Sequence, residues 1–521
     1  MKSLQNGSDI RGIAMDGIEG EKINLTSEKM RLIAMAFVMW LRFEDENKNV
    51  SADSISIGVG MDSRLSGERL KRIFLDALAC TGIRAYNFGL ASSPALFMCT
   101  LDKKMPMTAG VMITASHLPF NRNGLKFYTS KGGLEKEDIA RILEIADNIE
   151  EEQAKHFDEF SNIYVGKSFD YNYMDKYEKF LTHYIRYGIE KPSNINKLTL
   201  SRTKPLKGLH IIVDAGNGAG GFFATKVLEP LGANIEGSQF LNPDGHFPNH
   251  IPNPENKEVM DSICQAVLDN DADLGIIFDT DVDRVAIVDR QGHSINRNSL
   301  IALISSIILR EHPNSIIVTD SITSDGLSEF ITNLGGMHHR FKRGYRNVIN
   351  ESIRLNKDGK ESWMAIETSG HCALKENHFL DDGAYLVAKI IIELANYHKD
   401  GKDLISVLDT LRQPAETQEI RFKINEDKLK ISETFKSYAD KILVKLSEKI
   451  STINGWELVQ PNYEGIRVAC KNENEKGWFL LRMSLHDPLM PLNIESEING
   501  GVEVIRKKLL NILNKFPPLK I

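Results

Sequence analysis

Short apolar runs recur along this chain, each cut off by a polar loop and followed by a stretch of helical spacing. Ser27 to Phe43 reads as a helix. Ser54 to Met61 reads as a strand ending at Asp62-Ser63-Arg64-Leu65-Ser66. Leu70, Ile73, Phe74, Ala77 and Leu78 then fall at helical spacing, with Gly82 as a stop signal. Ser93-Pro94 predicts another helix, the serine as N-cap and the proline in its first turn. Val111-Met112-Ile113 forms the next strand and breaks abruptly into Thr114-Ala115-Ser116-His117-Leu118-Pro119. Strand–helix alternation of this kind marks an α/β sheet.

The same pattern returns further on. An acidic helical stretch over 134–165 and an amphipathic helix from Tyr171 to Tyr187 lead to a Pro-, Ser-, Asn- and Lys-rich linker, Lys191 to Lys207. Leu209 to Val213 opens a second unit, whose later strand, Leu274 to Phe278, ends in Asp279-Thr280-Asp281-Val282-Asp283-Arg284. The Gly-rich run Gly216 to Gly221 lacks GxGxxG spacing and the P-loop ending, so it reads as a structural turn. Ser315 to Asp320 opens a third unit, with the loops Lys342-Arg343-Gly344-Tyr345-Arg346 and Glu367-Thr368-Ser369-Gly370-His371. This is a weak internal repeat of domain size. After Gln413-Pro414 the pattern changes. A charged helix over Asp427 to Lys449, a strand from Trp478 to Met483 and a segment from Leu489 to Ile494 predict an antiparallel, two-layered α+β unit.

Composition narrows the class. A chain of 521 residues with 26% charged and 42% hydrophobic residues is that of a globular protein of several domains. A net charge of −7 gives no reason to expect nucleic acid or an anionic membrane as partner. The five cysteines are scattered, without CxxC spacing, which argues against a disulfide framework and a cysteine zinc site. No apolar leader stands near Met1, and the longest apolar run in that region, Leu32 to Leu41, is too short to cross a bilayer, so the expected location is cytoplasmic.

The chemistry lies at two strand ends. Asp279, Asp281 and Asp283 alternate directly after an apolar strand, so a backbone turn brings three carboxylates together as ligands for a hard divalent cation such as Mg²⁺. The plain alternative is a solvated acidic turn. A phosphoryl group on the Ser116 hydroxyl would supply the remaining oxygen, and the metal would neutralise and orient it. Phosphoryl transfer then needs cations and a proton carrier. Arg11, Lys126, Arg284, Arg343, Arg346 and Arg482 are the candidate cations, and His371 a candidate acid or base.

With those residues in view, the chain resembles the α-D-phosphohexomutase superfamily, the phosphoglucomutase/phosphomannomutase enzymes. Thr114 to Pro119 resembles the family's phosphoserine loop TASHNP, and Asp279 to Arg284 its metal loop DGDxDR. Ile366 to His371 resembles the sugar loop GEMSGH, Arg482 to Pro488 the terminal phosphate loop RxSNTEP, and Asp9-Ile10-Arg11-Gly12 the N-terminal signature. The resemblance implies three similar α/β/α domains and a C-terminal α+β domain around a central cleft, here over 1–165, 166–307, 308–415 and 416–521. It implies a catalytic set of Ser116, Lys126, Arg11, Arg284 and His371. Mg²⁺ would be held by Asp279, Asp281, Asp283 and the phosphate on Ser116. Glu367 and Ser369 would read sugar hydroxyls, and His371 would belong both to the substrate-binding set and to the groups around the transferred phosphoryl. Arg482 and Ser484 would hold the substrate's non-reacting phosphate, His486 could also bind phosphate, and Lys342 and Arg343 complete the substrate-binding set. The implied activity interconverts hexose 1-phosphate and hexose 6-phosphate through a bisphosphate intermediate, with hexose 1,6-bisphosphate as activator, in a monomer or homodimer.

The departures bear on substrate. Leu118 replaces the asparagine of TASHNP, Thr280 and Val282 fill the spacer positions of the metal loop, Thr368 stands in the sugar loop, and Leu485 and His486 replace phosphate donors in the last loop. Glucose and mannose phosphates are the expected substrates. Glucosamine phosphate, a non-catalytic sugar-phosphate-binding relative, and a Mg²⁺ phosphohydrolase with Asp279 as nucleophile are the alternatives.

Overall fold

The computed structural model describes residues 1–43, 50–155, 168–190, 203–484 and 487–520. The chain divides into two compact units: Met1–Asn296 with Ser369–Ile405, and Arg297–Thr368 with Ser406–Ile521.

In the first unit, Ser56–Met61 and Ala109–Ile113 are buried almost throughout, as expected of central parallel strands covered on both faces. They pair in parallel, and Arg84–Leu90 continues the parallel run on the far side of Ser56–Met61. On the other side Arg122–Thr129 and then Asp9–Ile13 add antiparallel strands. The C-terminal ends at Met61, Leu90 and Ile113 therefore release three loops on the same edge, where α/β sheets build their sites. Helices Ser27–Phe43, Gly67–Cys80 and Lys136–Lys155 cover this sheet. Phe37, Phe74 and Phe127 meet in its core.

Ser93 is not the cap it was expected to be. The N-cap is Ser92, whose hydroxyl accepts from Ala95 N at 3.3 Å, and Ser93 is the first residue of helix Ser93–Met98. Two adjacent serines make the local signal ambiguous by one residue. The position that cannot cap is free to reach elsewhere.

The unit's second sheet pairs Ile211–Asp214 and Leu274–Phe278 in parallel, then Val285–Asp289 and Ser294–Ile295 antiparallel. The Gly-rich turn is a packing device: Ala219 N donates to Thr280 O at 2.8 Å. A Cβ on Gly218 would sit 2.8 Å from Thr280 Cα. Only glycine lets the turn lie this close to the aspartate loop.

In the second unit, Ile316–Thr319 lies parallel between Met337–Arg340 and Met364–Ile366. The C-terminal portion is a six-stranded sheet, wholly antiparallel where its pairings are described, with helices Phe435–Ile450 and Gly501–Leu513 in its core cluster. The helix expected over Asp427–Lys449 starts later, at Phe435. Thr434 and Ser437 form a reciprocal capping box that ends the preceding turns. Charge alone had suggested an earlier start. Leu485 and His486 lie outside the described residues. Among those described, no helix is long and apolar enough to cross a membrane.

Candidate active site

Ile113 ends its strand fully buried, and the chain turns at Ser116, which adopts a left-handed φ of 48°. A non-glycine residue there is strained, and such strain persists only where the surroundings over-determine it. The aspartate loop carries a second outlier: Val282, buried and β-branched, has φ 69°. The two loops meet. Ser116 Oγ donates to Asp279 Oδ2 at 2.7 Å and accepts from Arg284 Nη2 at 2.9 Å. The same guanidinium reaches Asp279 Oδ2 at 3.1 Å from both Nε and Nη2.

Asp279, Asp281 and Asp283 converge, with ligand oxygens within 4.8 Å of one another. All three are buried. Lys126, on the strand antiparallel to Ala109–Ile113, donates to Asp281 Oδ2 at 2.7 Å and also to Asp283 Oδ2. Burial pushes the Asp279 carboxyl up, and the charges of Asp283 and Asp281 push it further. Burial also disfavours ionisation of Asp283, but Lys126, His371 and Arg284 outweigh it and hold that carboxyl down. Burial works against the Lys126 ammonium, yet Asp281 and Asp283 raise it well above the ordinary range. Asp281 Oδ1 and Asp283 Oδ1 are buried with no hydrogen-bond donor. Two orphaned carboxylate oxygens beside a third acid are a donor set suited to a hard divalent cation, so Asp279, Asp281 and Asp283 fit Mg²⁺.

Arg11 pairs with Asp9 Oδ2 at 2.8 Å and donates to Thr114 O, in the turn that delivers Ser116. His371 is bridged to Arg284 through the backbone. Its Nδ1 is hydrogen-bonded to Asp381 Oδ2 and lies 4.0 Å from Asp283 Oδ1. Burial opposes its protonation, but Asp381 and Asp283 prevail and push it up to about 9. His117 is the converse: burial, then the Arg284 charge, drive it down to about 2. Its Nδ1 meets Arg284 Nη2 and lies 3.4 Å from Ser116 Oγ. Ser369 is buried in this same unit.

Sequence reasoning missed four residues of this network. Ser93 donates its hydroxyl to Asp281 Oδ2, and its N–H reaches Asp281 O at 2.9 Å. Asp381 orients His371. Asp62 accepts from Thr114 Oγ1 at 2.7 Å. Arg64, buried, binds the carbonyls of the serine loop, including Leu118 O at 2.6 Å. Asp62 and Arg64 do stand at a strand end, a signal that could have drawn attention to them. Ser93 and Asp381 carried none.

The second unit gathers the remaining candidates. Glu367 Oε1 accepts from Gly344 N at 2.6 Å, which joins the 342–346 loop to the end of strand Met364–Ile366. Arg343 N donates to Glu464 Oε2 at 3.1 Å, and Arg482 Nη1 lies 3.8 Å from Glu464 Oε1. Burial lowers the Arg482 guanidinium, Glu464 opposing. Thr368 donates to Asp320 Oδ2 at 2.7 Å. Ser484 Oγ accepts from Asp487 N at 3.3 Å. Lys342 is exposed, its ammonium 6.0 Å from the Phe341 ring centroid. His486 lies outside the described residues.

Family models described as phosphoglucomutase/phosphomannomutase α/β/α domains I, II and III match residues 2–153, 183–292 and 296–411, together well over half of the chain. A phosphomannomutase/phosphoglucomutase of Pseudomonas syringae is 27% identical over 514 residues, covering 98% of this chain and 95% of its own. A phosphoglucomutase of Neisseria gonorrhoeae is 27% identical over 464 residues, 89% of each chain. Among solved structures, a phosphoglucomutase/phosphomannomutase family protein from Burkholderia thailandensis superposes with a TM-score of 0.74 at 22% identity, covering 100% of both chains.

Proposed function

The chain belongs to the phosphoglucomutase/phosphomannomutase family and is a phosphohexomutase, and on that premise we propose that Ser116 carries the phosphoryl group between hexose 1- and 6-phosphates. The observation that carries this reading is the Ser116 hydroxyl 2.7 Å from Asp279 and 2.9 Å from Arg284, beside two orphaned carboxylate oxygens.

Phospho-Ser116 gives its phosphoryl group to the free hydroxyl of a bound hexose phosphate. The Oγ–P bond breaks as the sugar O–P bond forms, the sugar hydroxyl loses its proton, and Oγ regains one. Lys126 and His371 are the groups in the carboxylate network able to move that proton. Arg284 remains on Oγ throughout and offsets its developing charge. Arg11 steadies the turn. A divalent cation bound by Asp279, Asp281 and Asp283 would neutralise the transferred group and hold it in line. The resulting bisphosphate reorients, and the serine takes back the other phosphate.

Glu367 and Ser369 read the sugar hydroxyls, as carboxylate and hydroxyl groups suit polyols. Arg482, Ser484, Arg343, Lys342 and His486 bind the distal phosphate. Glucose and mannose phosphates are the first choice of substrate and glucosamine phosphate the second. The domain division 1–165, 166–307, 308–415 and 416–521, the bisphosphate activator and a cytoplasmic location belong to the same reading. A phosphohydrolase would need Asp279 as its nucleophile, whereas Asp279 Oδ2 accepts from both Ser116 and Arg284.

A coupled assay over glucose, mannose and glucosamine phosphates, primed with a 1,6-bisphosphate, tests the reading. Turnover should disappear in Ser116→Ala, and the peptide containing Ser116 should carry a phosphate in the wild type. Isomerisation by Ser116→Ala would overturn it.

A further inference from the structure

We propose that Arg64 is the positioning residue of the phosphoryl shuttle. On this reading its guanidinium holds the Ser116 turn in the strained conformation from which the hydroxyl meets Asp279. The inference rests on the proposed function and adds to it a residue that touches neither substrate nor metal.

The Arg64 side chain has no exposed surface. Its guanidinium binds four main-chain carbonyls, three in the serine loop and one at the start of the strand that follows: Leu118 O at 2.6 Å, Pro119 O at 2.7 Å and Ser116 O, and Arg122 O at 3.1 Å. Its Nε lies 3.4 Å from Asp62 Oδ2. That same oxygen accepts from Thr114 Oγ1 at 2.7 Å, and Thr114 Oγ1 accepts from Ser116 N at 2.8 Å. Both polar ends of the Ser116 residue thus return to one Asp62–Arg64 pair, the N–H through Thr114 and the carbonyl directly. Ser116 sits between them at φ 48°. A flexible ammonium cannot replace this planar fork, because its donors do not diverge to four carbonyls.

The pair is itself held from above by the second sheet's loop. The Phe247 ring centroid lies 5.3 Å from Arg64 Cζ, a cation–π contact. Phe247 is also strained, at φ 50°. A Cβ on Gly245 would come within 2.4 Å of Leu65 N, so the loop is pressed onto the Asp62–Ser66 turn. An arginine needed only to satisfy carbonyls would not require this cap, nor the Asp62–Thr114 link to the Ser116 amide.

The experiment uses the full chain with glucose 1-phosphate, Mg²⁺ and glucose 1,6-bisphosphate. Displacing a reacting atom by about 1 Å costs on the order of 10²-fold in rate. Arg64→Lys should therefore lower kcat by about 10²-fold with KM changed less than about twofold, since substrate contacts remain. Phosphorylation of Ser116 by the bisphosphate should slow in parallel, and Phe247→Leu should move kcat the same way by a smaller factor. A folded Arg64→Lys with wild-type kcat, or one that raises KM alone, would overturn the proposal. If Arg64→Lys does not fold, Phe247→Leu decides: a kcat equal to the wild type rejects the proposal. An inactive wild type would instead reject the functional reading on which it rests.

Discussion

Thr280 donates its hydroxyl to the main-chain carbonyl of Ser116 at 2.8 Å, so the aspartate loop and the serine loop are tied by a side chain at a spacer position. Thr280 is fully buried, and the Gly-rich turn is packed against its Cα. The residue that departs from the family's DGDxDR pattern thus has a structural task in this chain. Its hydroxyl fixes the distance between the Ser116 loop and the carboxylates that Oγ faces.

Thr280→Val keeps the shape and removes the donor. The Ser116 carbonyl retains Arg64, so the stability loss should be about 1 kcal/mol or less. The rate should suffer more than stability suggests, falling roughly threefold to tenfold, where tenfold corresponds to about 1.4 kcal/mol of barrier. Thermal unfolding and the coupled assay measure both. Thr280→Ser should retain most of the activity, and an equally impaired serine variant would contradict the hydrogen-bond explanation.

Ser93→Ala leaves Asp281 Oδ2 with Lys126 alone while Oδ1 still lacks a donor. Loss of such an orienting partner weakens metal binding by on the order of 10- to 100-fold. The Mg²⁺ concentration giving half-maximal activity should rise by about that factor. The Mg²⁺-induced rise in melting temperature should need correspondingly more ion, which gives a readout independent of turnover. Unchanged Mg²⁺ titrations by both measures would remove Ser93 from the site.

Chelation should abolish isomerisation, and added Mg²⁺ should restore it. The same ion should stabilise the fold, because it binds the folded triad and not the unfolded chain, and because burial and the charges of Asp283 and Asp281 otherwise disfavour an ionised Asp279. At about 100 times its dissociation constant the gain is roughly 2.7 kcal/mol. Full turnover after exhaustive chelation would sink the metal assignment.

Asp382, next in the chain to Asp381, offers a pH test read from stability rather than turnover. It caps helix Gly383–Lys399, accepting from Tyr385 N at 2.9 Å and Tyr177 Oη at 2.6 Å. Burial pushes its carboxyl from 3.8 up to about 6, although Tyr177, Tyr385 and Asn377 hydrogen bonds oppose the shift. A raised acid favours folding most below pH 3.8, and this advantage is lost as pH rises toward 6. Wild-type stability should therefore fall relative to Asp382→Asn by about 2–3 kcal/mol between pH 4 and pH 6.5, at about 1.4 kcal/mol per unit. Parallel denaturation curves across that window would show that Asp382 does not titrate there.

Much of this is legible in the sequence. The strands ending at Ile113 and Phe278 are uninterrupted apolar runs, and burial on both faces of a parallel sheet requires that pattern. The acids after Phe278 and the serine after Ile113 could be recognised because each sits where such a strand must surface. Boundaries set by caps were less visible. Ser92 and Ser93 are chemically alike, and only the backbone decides which one accepts from Ala95. The start of helix Phe435–Ile450 depended on Thr434 and Ser437 bonding each other, which a charged segment does not advertise.

By itself, the sequence determined the chemical inventory: a serine in a turn, three acids in alternation, and cations spread over the chain. Local pattern can do this because strand burial and turn chemistry depend on near neighbours. Tertiary structure alone decided which groups face one another. Ser116 meets Asp279 across 163 positions, and Ser93 meets Asp281 across 188. Arg64 binds carbonyls, which every residue carries, so nothing in residue type marks its partners. Such contacts follow from where separate strands end on shared sheet edges, and that is a property of the packed chain.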